Sequence, residues 1–242
     1  MLEKTLHDRI AEYEAANKVA IAYGGDGTVL DVVRKTAGRK PIIPIRNYSC
    51  CSAHESRLED LLSGKDQPPL KLTRCPFIRW EHNGDTDKGI SEVTIKNCDP
   101  TTALRFDLYV DGQLHLKNVI SDGLIASTAY GSTGYFKSIS RTTFSCDGIG
   151  VAFIAPTQGV NNLITKLTST ITISVLRGTE VFLTADKATQ RVTLDVGDKI
   201  DISMTCDAVS IFGLSEFHCH QCRSLRHSSY EAGQEVQDMY AK

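Results

Sequence analysis

A glycine-rich turn between two apolar segments constrains this chain more than any other feature. Gly24-Gly-Asp-Gly-Thr28 follows a short apolar run, residues 18–23, that is typical of a buried strand, and it precedes residues 29–35, which have helical apolar spacing. Glycines let backbone N–H groups approach a phosphate closely, and the helix start adds oriented donors and partial positive charge. The turn therefore predicts a phosphate site in which Asp26 is a general base or organises Mg²⁺. A plain turn capped by Asp26 or Thr28 is the alternative.

The first third of the chain predicts alternating helices and strands. Residues 4–17 have helical apolar spacing, residues 18–23 and 41–45 form short apolar runs, and the helix over 29–35 lies between them. This order favours parallel strands joined by right-handed crossovers. The polar stretch 63–69 then predicts a domain boundary.

Beyond that stretch the pattern changes to strands. Apolar residues alternate before and after Asp111-Gly112, a strong hairpin signal, and alternate again in four segments between residues 171 and 204. We therefore expect an α/β plus all-β protein, in which a small reduced α/β domain with parallel strands precedes an antiparallel, β-sandwich-like domain. The predicted limits are 1–66 and 67–209, with the tail from about 210 to 242 packing back on the first domain.

Composition narrows the function classes. The 27 Lys and Arg residues nearly balance the 29 Asp and Glu residues, so the basic footprint of a nucleic-acid-binding protein is absent. No apolar run reaches the roughly 20 residues of a membrane span, and the first residues do not resemble a signal peptide. We expect a cytoplasmic protein with reduced thiols and no nucleic-acid or membrane partner.

Several histidines and cysteines are weaker candidates for function. The cluster His218-Cys-His-Gln-Cys222 offers two thiols and two imidazoles, but zinc needs four ligands and a second clear pair is absent, so we assign no protein metal ligand and keep metal binding there as an alternative. His54, His82 and His115 lie in polar surroundings and are expected at the surface. Trp80 is expected in or near the core.

A second motif is rich in hydroxyls. Residues 122–135 read Asp-Gly-Leu-Ile-Ala-Ser-Thr-Ala-Tyr-Gly-Ser-Thr-Gly-Tyr, an apolar strand that ends in serines, threonines and glycines. Hydroxyl groups can hydrogen-bond ribose or phosphate, and we expect this of the side chains of Ser127, Thr128, Ser132, Thr133 and Tyr135. A solvated Ser/Thr loop is an equally good interpretation of this motif alone.

The two motifs together resemble the NAD kinases. The glycine turn is shared with lipid kinases, sphingoid kinases and phosphofructokinases, whereas the second motif is specific to NAD kinases. Glu92-Val-Thr-Ile-Lys96, the Tyr109–Gly112 hairpin and Thr184-Ala-Asp186 also resemble that family, so the resemblance runs from about Lys18 to about Thr205. It implies phosphate transfer from ATP or polyphosphate, with Mg²⁺ or another divalent cation, to the adenosine-ribose 2′-hydroxyl of NAD. It further implies the same two-part fold and a homodimer or homotetramer.

The resemblance also implies roles for individual residues. Asp26 would be the base, Gly24 belongs to the same turn, Gly25, Gly27 and Thr28 would hold phosphates, and Leu30 would line the pocket. Glu92 takes the place of the acid in the family's Asn-Glu pair, and Ser91 that of the Asn. Thr133, Gly134, Tyr135 and Ser138 match positions around the adenine and ribose. Asp122 and Asp186 match residues that meet the other half of the ligand, often across a subunit boundary.

The chain departs from the family pattern at three places. Ser91 replaces the usual Asn, the family's glycine-rich loop after the second strand is here the glycine-free Ile45–His54, and only about 17 residues precede the first strand, which indicates a shortened N-terminal domain. A catalytically weak or silent dinucleotide-binding module is therefore one alternative. A diacylglycerol-type lipid kinase that shares the glycine turn is another.

Overall fold

The computed structural model describes residues 5–46, 52–64, 70–189 and 191–214, and of residues 52–56 it describes the backbone alone. The described chain divides into two compact units. The first contains residues 5–74 and 210–214, and the second is Cys75–Val209. The predicted domain limits at 66 and 209 stay a prediction.

The first unit has the predicted alternation of helices and strands. Its elements are α1 (Leu6–Asn17), β1 (Ala20–Tyr23), α2 (Asp26–Thr36), β2 (Ile42–Ile45) and α3 (Ser52–Leu62). Strands β1 and β2 are parallel, with Tyr23 beside Ile45. Apolar side chains of both strands pack with Leu58 of α3 in one buried cluster. No helix in the described part of the chain is long and apolar enough to cross a bilayer.

The second unit is built from antiparallel strands, as the alternation predicts. Its elements are β3 (Leu72–His82), β4 (Asp85–Gly89), β5 (Glu92–Asn97), β6 (Leu104–Val110), β7 (Gln113–Ser121), β8 (Gly123–Ser127), α4 (Tyr135–Ser140), β9 (Gly148–Ile154), β10 (Leu163–Lys166), β11 (Ile171–Arg177), β12 (Val181–Ala185), β13 (Val192–Leu194) and β14 (Lys199–Phe212). Strand β3 begins in the first unit and β14 ends in it, where Ile211 pairs in parallel with Ile42.

Two sheets enclose the core of the second unit. One has the strand order β14-β11-β6-β7, and the other has the order β10-β9-β8-β5-β12-β13. Their facing apolar side chains form one cluster, in which the rings of Phe106 and Phe153 stack at 6.2 Å. Asp111 and Gly112 have φ values of 51° and 77°, the left-handed conformation of a tight turn, and they join β6 to β7. The predicted hairpin and the α/β plus all-β fold class are confirmed.

One surface assignment is wrong. His82 is 6% exposed, because β3 carries it against β14, where its Nδ1 lies 3.0 Å from the carbonyl oxygen of Lys199. The polar residues that follow His82 form the β3–β4 turn, so local polarity gave no indication of this burial. His115 is exposed as expected, and Trp80 is buried. The side chain of His54 lies outside the described residues.

Candidate active site

The glycine turn places Asp26 in the first turn of a helix. Gly25 is the N-cap of α2, which begins at Asp26, about one turn before the start that apolar spacing predicts. Gly24 donates its N–H to the carbonyl of Ile45 (2.8 Å), and a Cβ on Gly24 would lie 2.9 Å from the Cβ of Thr28. Glycine is thus required where the turn passes beneath the helix. The partial positive charge of the helix N-terminus favours a carboxylate at this position.

A buried arginine holds the Asp26 carboxylate. One Nη of Arg46 lies 3.1 Å from each oxygen of Asp26. The side chain of Arg46 is 2% exposed, whereas that of Asp26 is 51% exposed. The arrangement leaves the carboxylate accessible from solvent while a fixed cation sets its orientation. A carboxylate presented in this way can accept a proton from a hydroxyl group.

Sequence reasoning missed Arg46, although a signal existed. Arg46 follows β2, and the glycine turn follows β1. Because β1 and β2 are parallel and Tyr23 pairs with Ile45, the residues after each strand meet at the same edge of the sheet. The parallel sheet predicted from the element order therefore already placed residue 46 beside the turn. Residues 47–51 of the glycine-free segment Ile45–His54 lie outside the described residues.

The hydroxyls of the second motif separate into buried and exposed sets. Ser127, Thr128 and Ser132 are buried, and each donates to backbone carbonyls. Thr128 bonds Ile90 (2.6 Å), and Ser132 bonds Ala129 (2.8 Å). These three hydroxyls support the loop, so the expectation that they bind ribose or phosphate is wrong. A consecutive run of hydroxyls gives no sign of which ones satisfy the backbone.

The exposed set contains the positions that the resemblance assigns to the dinucleotide. Thr133, Gly134, Tyr135 and Ser138 lie at the end of a 3₁₀ turn and on the first turn of α4, and all four are exposed. Phe136 anchors α4 against Phe144 and the outer face of β8 and β9. A rigid strand and helix therefore present this segment to solvent.

Ser91 and Glu92 form a hydrogen-bonded pair at the start of β5. The Ser91 hydroxyl donates to a carboxylate oxygen of Glu92 (2.6 Å). Burial raises the pKa of Glu92, the Ser91 bond acts in the opposite direction, and the nearby charge of Asp186 adds to the rise. The serine that replaces the family's Asn thus fixes the neighbouring acid.

Asp186 binds the backbone of the same segment. Its carboxylate accepts N–H groups from Ile90 (2.7 Å), Ser91 (3.0 Å) and Glu92 (2.9 Å). Asp186 also donates its own N–H to the carbonyl of Glu92 (2.9 Å) and has a φ of 44°. The Thr128 turn, residues 128–131, also bonds this segment, because Thr128 donates its N–H to the carbonyl of Ser91. We call Ser91, Glu92, Asp186 and the Thr128 turn together the Ser91–Glu92 cluster.

Asp122 lies apart from this cluster. It is exposed and precedes β8, whereas the Thr128 turn follows β8. At a rise of about 3.3 Å per residue, the six residue steps from Asp122 to Thr128 separate the two by roughly 20 Å.

The described residues contain no group of three or more His, Cys, Asp or Glu side chains that could hold a metal ion. The 218–222 Cys/His cluster lies outside them.

A match to a protein-family model shows which family this chain belongs to. The model of the ATP-NAD kinase C-terminal domain matches residues 90–212, just over half of the chain, and this range contains the Ser91–Glu92 cluster and the whole second motif. The chain belongs to the NAD kinase family. The resemblance stated from the motifs is therefore confirmed.

Curated NAD kinases from bacteria are among the relatives. NAD kinase 2 of Oceanobacillus iheyensis is 30% identical over 136 residues, which are 53% of this chain and 50% of that protein. NAD kinase 2 of Bacillus licheniformis is 26% identical over 215 residues, which are 86% of this chain and 77% of that protein. This NAD kinase family member thus spans only half the length of the first relative.

Two solved structures share the fold. Yeast NADH kinase complexed with NADH has a TM-score of 0.67 and 20% identity, over 80% of this chain and 61% of that chain. An NAD kinase from Archaeoglobus fulgidus in complex with ATP has a TM-score of 0.65 and 19% identity, over 87% of this chain and 90% of that chain. At these identities the likeness establishes the NAD kinase fold.

Proposed function

We propose that this chain is an NAD kinase, which transfers a phosphate from ATP or polyphosphate to the adenosine-ribose 2′-hydroxyl of NAD and so produces NADP. The observation that carries this proposal is the combination of a family match over residues 90–212 with a solvent-accessible carboxylate, Asp26, at the N-terminus of α2. The bacterial relatives named NAD kinase 2 also support it.

Phosphoryl transfer to a ribose hydroxyl requires alignment of the reactants and does not require a covalent nucleophile on the protein. A ribose hydroxyl is a weak nucleophile, and phosphoryl transfer depends mainly on positioning and charge neutralisation. Asp26 would accept the proton of the 2′-hydroxyl while Arg46 keeps the carboxylate in one orientation. Because α2 begins at Asp26, the partial positive charge of its N-terminus lies at the glycine turn, where it would favour phosphate oxygens.

The dinucleotide-binding residues remain proposals. Gly24, Gly25, Gly27, Thr28 and Leu30 are proposed around the phosphates, Thr133, Gly134, Tyr135 and Ser138 around the adenosine, and Ser91, Glu92 and Asp122 on other parts of NAD. The exposure of the four residues proposed around the adenosine, at the start of α4, supports their placement.

ATP is the better supported donor, because an archaeal family structure contains it. Mg²⁺ would be held by the Asp26 carboxylate together with substrate phosphates and water, because magnesium commonly combines one or two carboxylates with such ligands. The ion would supply charge neutralisation at the transferred phosphate. A cytoplasmic location and a homodimeric or homotetrameric state also stay predictions.

A donor-by-acceptor panel tests the proposal. The purified protein is incubated with Mg²⁺ and either ATP or polyphosphate, and with NAD, NADH or diacylglycerol as acceptor. Formation of NADP, detected by an NADP-specific dehydrogenase, is the expected result. Tight NAD binding without product from any donor would instead indicate a silent binding module, and phosphorylation of diacylglycerol alone would indicate a lipid kinase.

A further inference from the structure

We propose that Asp186 is a positioning residue for dinucleotide binding: its carboxylate holds the Ile90–Glu92 backbone in the conformation that presents Ser91 and Glu92, and it does not itself contact the ligand. The inference rests on the proposed function. It differs from the role that the resemblance implies, which is contact with the other half of the ligand.

The contacts of Asp186 occupy its carboxylate. One oxygen accepts from Ile90 and the other accepts from both Ser91 and Glu92, at 2.7 to 3.0 Å. These three N–H groups belong to consecutive residues, so a single side chain fixes the conformation of the whole segment. Charge-assisted bonds of this kind are about twice as strong as neutral ones.

Gly89 shows that the packing is built around this carboxylate. A Cβ on Gly89 would lie 2.5 Å from each oxygen of Asp186, closer than van der Waals contact allows. Glycine at the end of β4 is therefore needed for the carboxylate to reach the three N–H groups. This requirement gives a second way to displace Asp186 without removing its charge.

The carbonyl groups of the Ile90–Glu92 segment are hydrogen-bonded as well. Ile90 and Ser91 accept from the side chain and the N–H of Thr128, at 2.6 and 2.9 Å. A Cβ on Gly131 would lie 2.6 Å from the carbonyl carbon of Ser91. Asp186 and the Thr128 turn thus clamp the Ser91–Glu92 segment from opposite sides, and the turn leads directly into the Thr133–Ser138 segment.

The test compares Asp186→Ala, Asp186→Asn, Gly89→Ala and Glu92→Gln with the Asp186→Ala/Glu92→Gln double variant. Asp111→Asn is the matched control, because its carboxylate also braces backbone, accepting from Thr170 N–H (2.9 Å) and the Ser169 hydroxyl (3.1 Å) beside the β6–β7 turn. NAD affinity is measured by calorimetry, kinetics by NADP formation, and exchange of the residue 90–92 amides by mass spectrometry.

We expect Asp186→Ala to raise the NAD Kd about tenfold or more, because fewer molecules hold the binding conformation. Asp186→Asn keeps one acceptor oxygen, so its effect should be smaller, and Gly89→Ala should resemble Asp186→Ala. The KM for the phosphate donor should stay within about twofold, and the residue 90–92 amides should exchange faster. The NAD Kd of the double variant should not exceed the higher of the Kd values of the two single variants, Asp186→Ala and Glu92→Gln. Asp111→Asn should leave the NAD Kd unchanged.

Three results would overturn the inference: additive losses in the double variant, unchanged amide exchange in Asp186→Ala, or a Kd within about twofold of wild type. The first would indicate that Asp186 meets NAD independently of Glu92. Wild-type protein that binds NAD but makes no NADP would contradict the proposed kinase activity, while the Kd and exchange comparisons would still decide the role of Asp186. Wild-type protein that binds no NAD would contradict both.

Discussion

Replacing Arg46 with Met tests whether the buried guanidinium orients the Asp26 carboxylate. Methionine retains most of the apolar volume and removes the charge that lies 3.1 Å from both carboxylate oxygens. Since Asp26 is 51% exposed, water can solvate it after the change, so the loss should lie between that of a surface pair and that of a buried pair, about 1–2 kcal/mol. For a chain of this size this corresponds to a melting temperature lowered by about 2–8 °C.

Arg46→Met should affect catalysis more strongly than it affects the free energy of unfolding. A carboxylate without its fixed cation samples several orientations, and a misplacement of about 1 Å can lower the rate about 100-fold. We therefore expect Arg46→Met to lower kcat by about 10- to 100-fold with the NAD KM nearly unchanged. Thermal unfolding and initial rates of NADP formation, measured on one preparation, check both parts.

Arg9→Met is the matched control. Arg9 pairs with Glu59 at 2.6 Å within the same unit, but neither side chain is buried: Arg9 is 36% exposed and Glu59 is 57% exposed. Its replacement should change neither the melting temperature nor kcat measurably. If Arg46→Met lowers the melting temperature while kcat stays within about twofold of wild type, Arg46 stabilises the fold only, and the orientation argument is refuted.

Three further experiments probe the second unit. Gly131→Ala should lower the free energy of unfolding by about 2–3 kcal/mol in urea titrations, because the added Cβ would meet the Ser91 backbone. In Gly134→Ala the nearest contact of the added Cβ is 3.4 Å, so the free energy of unfolding should change by less than about 0.5 kcal/mol. Equal effects of the two substitutions would contradict this packing. Burial raises the pKa of Glu92 above its ordinary value of 4.5. Between that value and the raised pKa, the folded state keeps a proton that the unfolded state releases, so the stability of the wild-type protein falls as the pH rises through this range. Glu92→Gln should therefore gain stability relative to wild type with rising pH, and parallel pH profiles would refute this linkage. Burial raises the pKa of the Cys75 thiol to about 12, so native protein near neutral pH should resist iodoacetamide at Cys75 while its exposed cysteines react; rapid alkylation of Cys75 would contradict its burial.

Local signals predicted the fold class because the elements obey local rules. The apolar runs at 18–23 and 41–45 became β1 and β2, and Asp111-Gly112 formed the expected turn. The Asn83-Gly84 turn between β3 and β4 carries a similar signal, with φ values of 50° and 88°, but its flanking strands lack clean alternation and were not predicted. Helix α4 is only six residues long, too short for periodicity to reveal.

The candidate site was predictable only where chemistry is concentrated in a motif. The glycine turn and the second motif identified Asp26 and the 133–138 segment. The role of Gly89 depends on a contact between separate elements, so single-sequence patterns did not reveal it. The predicted parallel strands placed Arg46 beside the turn but did not reveal its contact with Asp26. The burial of Ser127, Thr128 and Ser132 likewise depends on which backbone carbonyls the fold brings near.

The most direct test of the central claim is the rate of NADP formation by Asp26→Asn relative to wild type, at saturating NAD and donor. Loss of the base should lower kcat by about 100- to 10,000-fold, while calorimetry shows NAD binding largely intact. Undiminished turnover in the variant would show that Asp26 does not accept the ribose proton, and the account of this site would fail.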